Sequence, residues 1–488
     1  MPLSPDYRPS IRHADLGEAF YDIVEAASSP QHVVRYRNQR WASRVGLASL
    51  SDAEWIAHFG RFEPLPGSFP LPLALRYHGH QFRSYNPHLG DGRGFLFAQL
   101  HDLADHRLLD LATKGSGQTP WSRGGDGRLT LKGGIREVLA TEMLEALGVD
   151  TSKSFSLIET GERLARNDEP SPTRSSVLVR LSHSHIRIGT FQRFLYLDEP
   201  DNILRLLDYT VRTYMPEVWR DETPARVVGF LEEVCRRVAR MGAQWMVAGF
   251  VHGVLNTDNI NVTGESFDYG PWRFLPVLDP AFTAAYFDET GLYAFGRQPD
   301  ALLWNLTRLA ECLLPFAAQA DMERALGAFE AALHPAFVAA LLRRLGLKSA
   351  GEEKDRALAQ ALWTFLQETK APFEQTLFDW RGGTASAERA SASPSRASYS
   401  TPAFEPLRAA LDTLEPAPAV RLDHPYFRRS SPCTMLIDEV ETLWEPIARE
   451  DDWSPFRAKL TSIAEMAEAY GIPAVGEGHR PAPIGASA

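Results

Sequence analysis

With 488 residues, 44% of them hydrophobic, the chain is long enough for a two-lobed core with further elements around it. A formal charge of -11 and a pI near 5.7 exclude general nucleic-acid binding, which rests on Lys and Arg against phosphates, and leave room only for a local basic pocket. Cys235, Cys312 and Cys433 are widely spaced and form no C-x-x-C pair, which argues against a zinc site or a disulfide framework and for a reducing compartment. Met1 to Gly17 carries Pro, Asp and Arg where a signal peptide needs an apolar core, and no run approaches 18 uninterrupted apolar residues. A cytoplasmic chain with no membrane and no nucleic-acid partner is expected.

Residues 1–60 mix short helical patterns with the polar stretch Arg35 to Arg40 and are expected as an N-terminal extension. Residues 61–190 are expected as a small mixed α/β lobe. Its strand candidates are F-L-F-A-Q-L at Phe95 to Leu100, Leu108 to Thr113 ending at Lys114, Phe155 to Glu159, and Ser176 to Leu181. Between the second and third lie a loop rich in Gly, Pro and Ser (Gly115 to Arg128) and a helix from Leu131 to Leu147. Ile135, Val138, Leu139, Met143 and Leu147 fall at helical spacing there, with Gly148 past the end. Residues 191–383 turn mostly helical, with Val227 to Gly249, Leu302 to Ala320 and Arg324 to Leu345 as the long helices. Residues 384–403 include a low-complexity stretch without large aliphatics, Ala385 to Ser400, expected as a linker or loop. Residues 404–488 form a C-terminal extension that returns to amphipathic helix from Phe404 to Tyr470.

Several polar residues fall where phosphate chemistry needs them. G-D-G-R at Gly90 to Arg93 and G-G-D-G-R at Gly124 to Arg128 offer backbone N–H groups that approach phosphate closely, each beside a guanidinium; each is also a good tight turn. Lys114 ends a strand as L-A-T-K, comparable to the V-A-I-K lysine of kinases, and a carboxylate on the next helix would position it. Glu137, Glu142 and Glu145 share that helix, and the sequence alone does not choose among them. Arg180 and Arg187 flank L-S-H-S-H-I and could clamp a polyphosphate, while His183 and His185 alternate as a strand pair would, without a third metal ligand nearby.

The strongest signal lies between His252 and Gly270: H-G-V-L-N-T-D-N, eight further residues, then D-Y-G. In the kinase pattern H-R-D-x-x-x-x-N followed by D-F-G, the first Asp orients the attacking hydroxyl, and the Asn and later Asp hold metal. Asn259 and Asp268 fall on the metal positions. The slot of the catalytic Asp is Val254, which cannot accept a proton, and a carboxylate returns instead as Asp258. One Asn carbonyl and one carboxylate, completed by nucleotide phosphates, make an acceptable shell for Mg²⁺.

Together Y-H-G-H-Q-F-x-x-Y-N-P-H-L-G-D-G-R, K-G-S-G-Q-T-P-W-S-R-G-G-D-G-R, S-H-x-R-I-G, H-G-V-L-N-T-D-N and D-Y-G-P resemble the selenoprotein O family, also called the YdiU family, from about Arg35 to Pro299. The resemblance implies an α/β (α+β) fold, bilobal and protein-kinase-like, with N- and C-terminal extensions. It implies ATP bound in a flipped pose, Mg²⁺ or Mn²⁺ as cofactor, and transfer of AMP to Ser, Thr or Tyr hydroxyls of proteins, itself included, with release of pyrophosphate. By the same resemblance Gly90, Gly92, Arg93, Lys114, Asp126, Gly127, Arg180 and Arg187 bind nucleotide, and Glu137 pairs with Lys114. Asp258 accepts the proton, Asn259 and Asp268 hold the metal, and Asp268 also lies near ATP. Arg93, Arg180 and Arg187 would form a buried cluster on the distal phosphates.

Three alternatives stand beside this: use of UTP, a conventional kinase, and a non-catalytic nucleotide-binding scaffold. Val254 counts against the kinase, and the retained Asp258, Asn259 and Asp268 count against the scaffold. The family often has a cysteine shortly after the D-Y-G-P strand and a cysteine or selenocysteine near the C-terminus. Neither D-P-A-F-T-A-A-Y nor the tail has one here, so redox control through such a pair is not expected.

Overall fold

The computed structural model describes residues 4–167 and 169–471 and shows an α+β fold in two lobes. In chain order the strands of the first lobe are β1 (Pro9–Ser10), β2 (Tyr21–Ile23), β3 (Val33–Arg37), β4 (Leu73–Leu75), β5 (Gly79–Gln81), β6 (Ser84–Asn86), β7 (Leu96–His101), β8 (Leu108–Lys114), β9 (Leu129–Thr130), β10 (Lys153–Leu164) and β11 (Thr173–Ser182). β5 and β6 form a separate hairpin. The others make one antiparallel sheet, ordered β2-β4-β7-β8-β11-β10-β3, with β1 on β7 and β9 on β11.

Side-chain alternation divides this sheet into two apolar faces. Phe155, Val177 and Val179 point to one, where helices α1 (Gln39–Arg44) and α2 (Asp52–Phe59) bring Trp41, Trp55 and Phe59. The ring centroids of Trp55, Phe59 and Phe155 lie 4.5 to 5.3 Å apart, and each buried side chain of this size contributes about 1.5–3 kcal/mol. A capping box between Ser51 and Glu54 fixes where α2 begins. Leu157 and Leu178 point to the other face, against Ile135, Val138 and Leu139 of helix α3 (Leu131–Ala146), which Thr130 caps by accepting from Gly133 N.

The segment expected as an N-terminal extension thus supplies strands of the sheet, with β3 closing its edge against β10. V-V-R-Y-R is short and half-buried, and such a strand is stabilised by a partner distant in sequence. In the β5–β6 hairpin Gln81 pairs with Ser84, which leaves Phe82 and Arg83 as a two-residue turn with φ 48 and 65. Asn-Gly suits that geometry, and each other residue in it costs about 1 kcal/mol or more.

The second lobe carries α4 (Ile188–Tyr196), α5 (Pro200–Tyr214), α6 (Thr223–Val247), a short ribbon of β12 (Phe250–Val251) and β13 (Arg273–Phe274), then α7 (Gln298–Leu313), α8 (Gln319–Leu345), α9 (Glu352–Thr369), α10 (Phe373–Asp379), α11 (Ala387–Ala392), α12 (Glu405–Leu411), α13 (Ile437–Glu450) and α14 (Ser454–Ala469). α6 feeds β12 and the loop after it, as its apolar spacing predicts. Helix α8, with a mean hydropathy of 1.6 over its most apolar window, is long and apolar enough to cross a membrane by length and composition. It lies along α6 with Met322, Ala325, Phe329, Leu341 and Leu345 buried, and 28% of its most apolar window is buried.

The low-complexity stretch is not a bare linker. It winds into a 3-10 turn at Gly383–Ser386, α11, and a second turn at Ser398–Ser400, with Ala390 buried and the hydroxyls of Ser393 and Tyr399 donating to Asp379. Hydrogen bonds from small polar side chains supply what large aliphatics supply elsewhere. Phe404 to Tyr470 is also less continuous than expected: between α12 and α13 the only helical turn is 3-10, at Pro425–Arg428.

Candidate nucleotide and acceptor site

The register of β8 against β11 pairs Lys114 with Leu178 and Ala112 with Arg180, so Lys114 and Arg180 share the face that meets α3 and the second lobe. On α3, Glu137 is buried and forms an ion pair with Lys114 Nζ. The structure thereby chooses among three glutamates. Glu142 accepts from Tyr36 and Asn38, and Glu145 is taken by Arg40 and Trp41. Asp268 arrives from the second lobe with φ 64, a backbone region uncommon for Asp, and accepts from Lys114 at 2.8 Å and Arg180 at 3.0 Å. Burial opposes its charge, but Lys114, Arg180 and Arg187 prevail and hold its carboxyl well below the usual range.

Asn259 and Asp258 lie on a 3-10 turn, Thr257–Asn259, after β12. His252 anchors the loop: its ring is buried, and Nε2–H donates to the Phe267 carbonyl at 3.0 Å, tying the H-G-V-L segment to the residue before Asp268. Asn259 Nδ2 donates to the Val254 carbonyl at 3.1 Å, and among the described residues no hydrogen bond engages its Oδ1. Asn256 and Thr257 brace the β5–β6 hairpin, accepting from Phe82 N at 3.0 Å and His80 N at 2.7 Å. Asp258 sits under that hairpin, 8% exposed, where a Cβ on Gly79 would come 3.0 Å from its Oδ1. That oxygen has no hydrogen-bond partner. Burial is the main influence on it, Arg187 counteracts in part, and the carboxyl is pushed up to about 7.

The two glycine-rich turns brace one another. A Cβ on Gly90 would meet Trp121 at 2.4 Å, and the Gly92 and Asp91 carbonyls accept from Ser122 and Thr119 of the second turn. Gly127 has φ +69 and abuts Gly117, whose carbonyl carbon a Cβ would approach to 2.2 Å. Asp126 is ion-paired with Arg166 at 2.7 Å on the outside of this loop. Arg180 and Arg187 are buried as expected, but Arg93 is exposed and does not join them. It lies instead on the rim of a cavity of about 260 Å³ that it shares with Lys114, Glu137, Arg128, Arg136 and Arg166.

Sequence reasoning passed over Asp91, although it stands inside the G-D-G-R turn. It holds Arg187 at 3.3 Å and the Leu75 N–H at 3.1 Å, while Tyr77 lies under the Arg187 guanidinium at 4.1 Å. Arg136 was also missed as a cavity residue, whereas Arg128, noted in the second glycine-rich turn, does line the cavity. His185 donates its backbone N–H to the buried Asp110, whose carboxylate also lies 3.5 Å from the His185 Nδ1, and no group of three His, Cys, Asp or Glu side chains suited to a metal occurs among the described residues. The free Asn259 Oδ1 and the Asp268 carboxylate are hard oxygen donors that fit a divalent cation completed by phosphate and water.

Comparison with known proteins identifies the family. The family described as "Protein adenylyltransferase SelO" matches over residues 3–464. A "Protein nucleotidyltransferase YdiU" of Gloeobacter violaceus is 44% identical over 465 residues, covering 93% of this chain and 94% of its own length. The protein of that name from Synechocystis sp. is 43% identical over 478 residues, with 93% and 97% covered. A more distant one, from Vibrio vulnificus strain YJ016, is 37% identical over 367 residues, with 74% and 72% covered. The chain belongs to the SelO/YdiU family and is a protein nucleotidyltransferase.

Proposed function

We propose that this enzyme is an adenylyltransferase that moves AMP from ATP to Ser, Thr or Tyr hydroxyls of proteins, its own included. The observation that carries the reading is Asp258: a buried carboxylate with a pKa near 7 and an unpartnered oxygen stands beside Asn259, while the usual base position is Val254. In this reaction the acceptor oxygen attacks the α-phosphorus, the bond from that phosphorus to the bridging oxygen breaks, pyrophosphate leaves, and the acceptor proton passes to Asp258. Lys114, Arg180 and Arg187 neutralise phosphate oxygens, and Glu137 and Asp91 keep Lys114 and Arg187 aimed. Asn259 and Asp268 would hold Mg²⁺ or Mn²⁺, which would draw charge from the phosphate oxygens. The three free, buried cysteines fit a reducing, cytoplasmic setting.

The test is incubation with ATP labelled separately at the α- and γ-phosphates. Label from the α position becomes attached to protein and label from the γ position leaves as pyrophosphate. Reproducible γ-label transfer that Asp268→Ala abolishes would overturn the reading in favour of a kinase. Because the relatives are named only as protein nucleotidyltransferases, UTP labelled at its α-phosphate is run in parallel; stronger labelling from UTP would reassign the transferred group.

A further inference from the structure

An aromatic surface leads from solvent to the acceptor side of the site, and none of the chemistry above uses it. Tyr286 is 88% exposed, Phe287 46% and Phe82 37%. Their rings are continuous: Tyr286 to Phe287 at 5.1 Å, Phe287 to Phe82 at 5.8 Å, Phe82 to Tyr293 at 5.0 Å. Tyr293 is buried and its hydroxyl donates to Asn256 Oδ1 at 2.9 Å, two residues before Asp258. Beside Phe82, Arg83 is exposed, lies 5.4 Å over the Trp304 ring, and has no carboxylate partner among the described residues. Scattered exposed apolar residues are ordinary, but a connected aromatic run beside an unpaired cation is not.

The turn that presents this pair gives a second, independent observation. Both Phe82 and Arg83 adopt positive φ in a two-residue hairpin turn, a conformation that Asn-Gly adopts freely and that a bulky aromatic and a long cation do not. Strain of this kind persists where the side chains serve something other than stability.

We infer that the Phe82–Arg83 turn and the Tyr286–Phe287 segment dock the substrate protein, gripping a polypeptide stretch that carries an apolar side chain and a carboxylate near the acceptor hydroxyl. The occupant is a polypeptide because this is a protein nucleotidyltransferase and the aromatic run ends at the loop that holds Asp258. Its apolar residue packs on Phe82 and Phe287, and its Asp or Glu pairs with Arg83. The inference rests on the acceptor side being the Asp258 side, as proposed above.

The experiment compares the wild-type enzyme with Phe82→Asn/Arg83→Gly, which installs the residues the turn favours, and with Tyr286→Ser/Phe287→Ser on the exposed segment. Probes are synthetic peptides with one Tyr, Ser or Thr, flanked either by Leu and Asp or by Ser and Lys. Wild type prefers the Leu/Asp peptides by roughly tenfold in kcat/KM, about the effect of one good contact. Both variants lose that preference, while pyrophosphate release without a peptide and ATP binding by calorimetry stay unchanged, and the Asn-Gly variant melts no lower than wild type. Variants that keep the preference overturn the inference alone. Variants that lose pyrophosphate release equally also overturn it, by showing that the hairpin serves the nucleotide instead. A wild-type enzyme that releases pyrophosphate yet labels no peptide and no protein overturns both the inference and the transfer reaction.

Discussion

At Asp268 the carboxylate meets Lys114 and Arg180 directly, with Arg187 and Asp91 paired nearby, so each of these charges has a counter-charge. On the acceptor side, Asp258 is buried with an oxygen that nothing satisfies. One carboxyl is held well below its usual range and the other is pushed up to about 7, although both belong to the same short segment of chain. The contrast shows how one short segment can hold an anion and a carboxyl suited to take a proton: cations outweigh burial at Asp268, whereas burial outweighs the partial counteraction of Arg187 at Asp258.

The comparison breaks most severely at Asp268. Asp268→Ala is expected to take transfer below detection, a loss of more than about 10⁴-fold, because it removes the carboxylate that would hold the metal and leaves Lys114 and Arg180 facing each other. Calorimetry should show weakened ATP and metal binding, and circular dichroism an unchanged fold; undiminished metal-dependent turnover would remove Asp268 from the site. Asp258→Asn comes next. Transfer falls by about 10² to 10⁴, the usual worth of general-base assistance, while ATP and metal binding change little. Loss of ATP binding in this variant would make Asp258 a ligand instead.

The pH profile sharpens the same contrast. With Asp258 at about 7, kcat/KM rises about tenfold per pH unit below that value and levels off above it. In Asp258→Asn this limb disappears. The smallest effect is on stability. Between the free carboxyl value of about 3.9 and its folded value near 7, the native chain binds the Asp258 proton more tightly than the unfolded chain does, so stability falls as pH rises across that window. Asp258→Asn escapes this loss. It should therefore melt a few degrees above wild type at pH 8, with the gap closing by pH 4, and a difference that is the same at both pH values would contradict the assigned burial.

Most of the candidate site was legible because it is local. His252, Asn259 and Asp268 keep a fixed spacing, and L-A-T-K before a glycine-rich loop marks the end of β8. Glu137 was not separable from Glu142 and Glu145, since helical phase says nothing of Tyr36, Asn38 and Arg40, which occupy the latter two from far away in sequence. The same limit hid the N-terminal strands, whose partners are distant. Arg93 was misjudged as buried because a turn leaves the direction of its side chain open. Ala385 to Ser400 was misjudged because composition records missing aliphatics but not hydroxyls that find Asp379.

At the edge of the first lobe, Arg35 and Arg174 share Glu159 and reach Asp451, at 3.1 and 2.6 Å, just past the end of α13. The Arg35–Asp451 contact spans 416 residues. During synthesis the β3 edge therefore emerges long before the carboxylate that completes its charge pairing. Until the last helices leave the ribosome, the nascent first lobe holds two arginines around a single glutamate, and an enzyme truncated before Asp451 would keep that unfinished edge permanently.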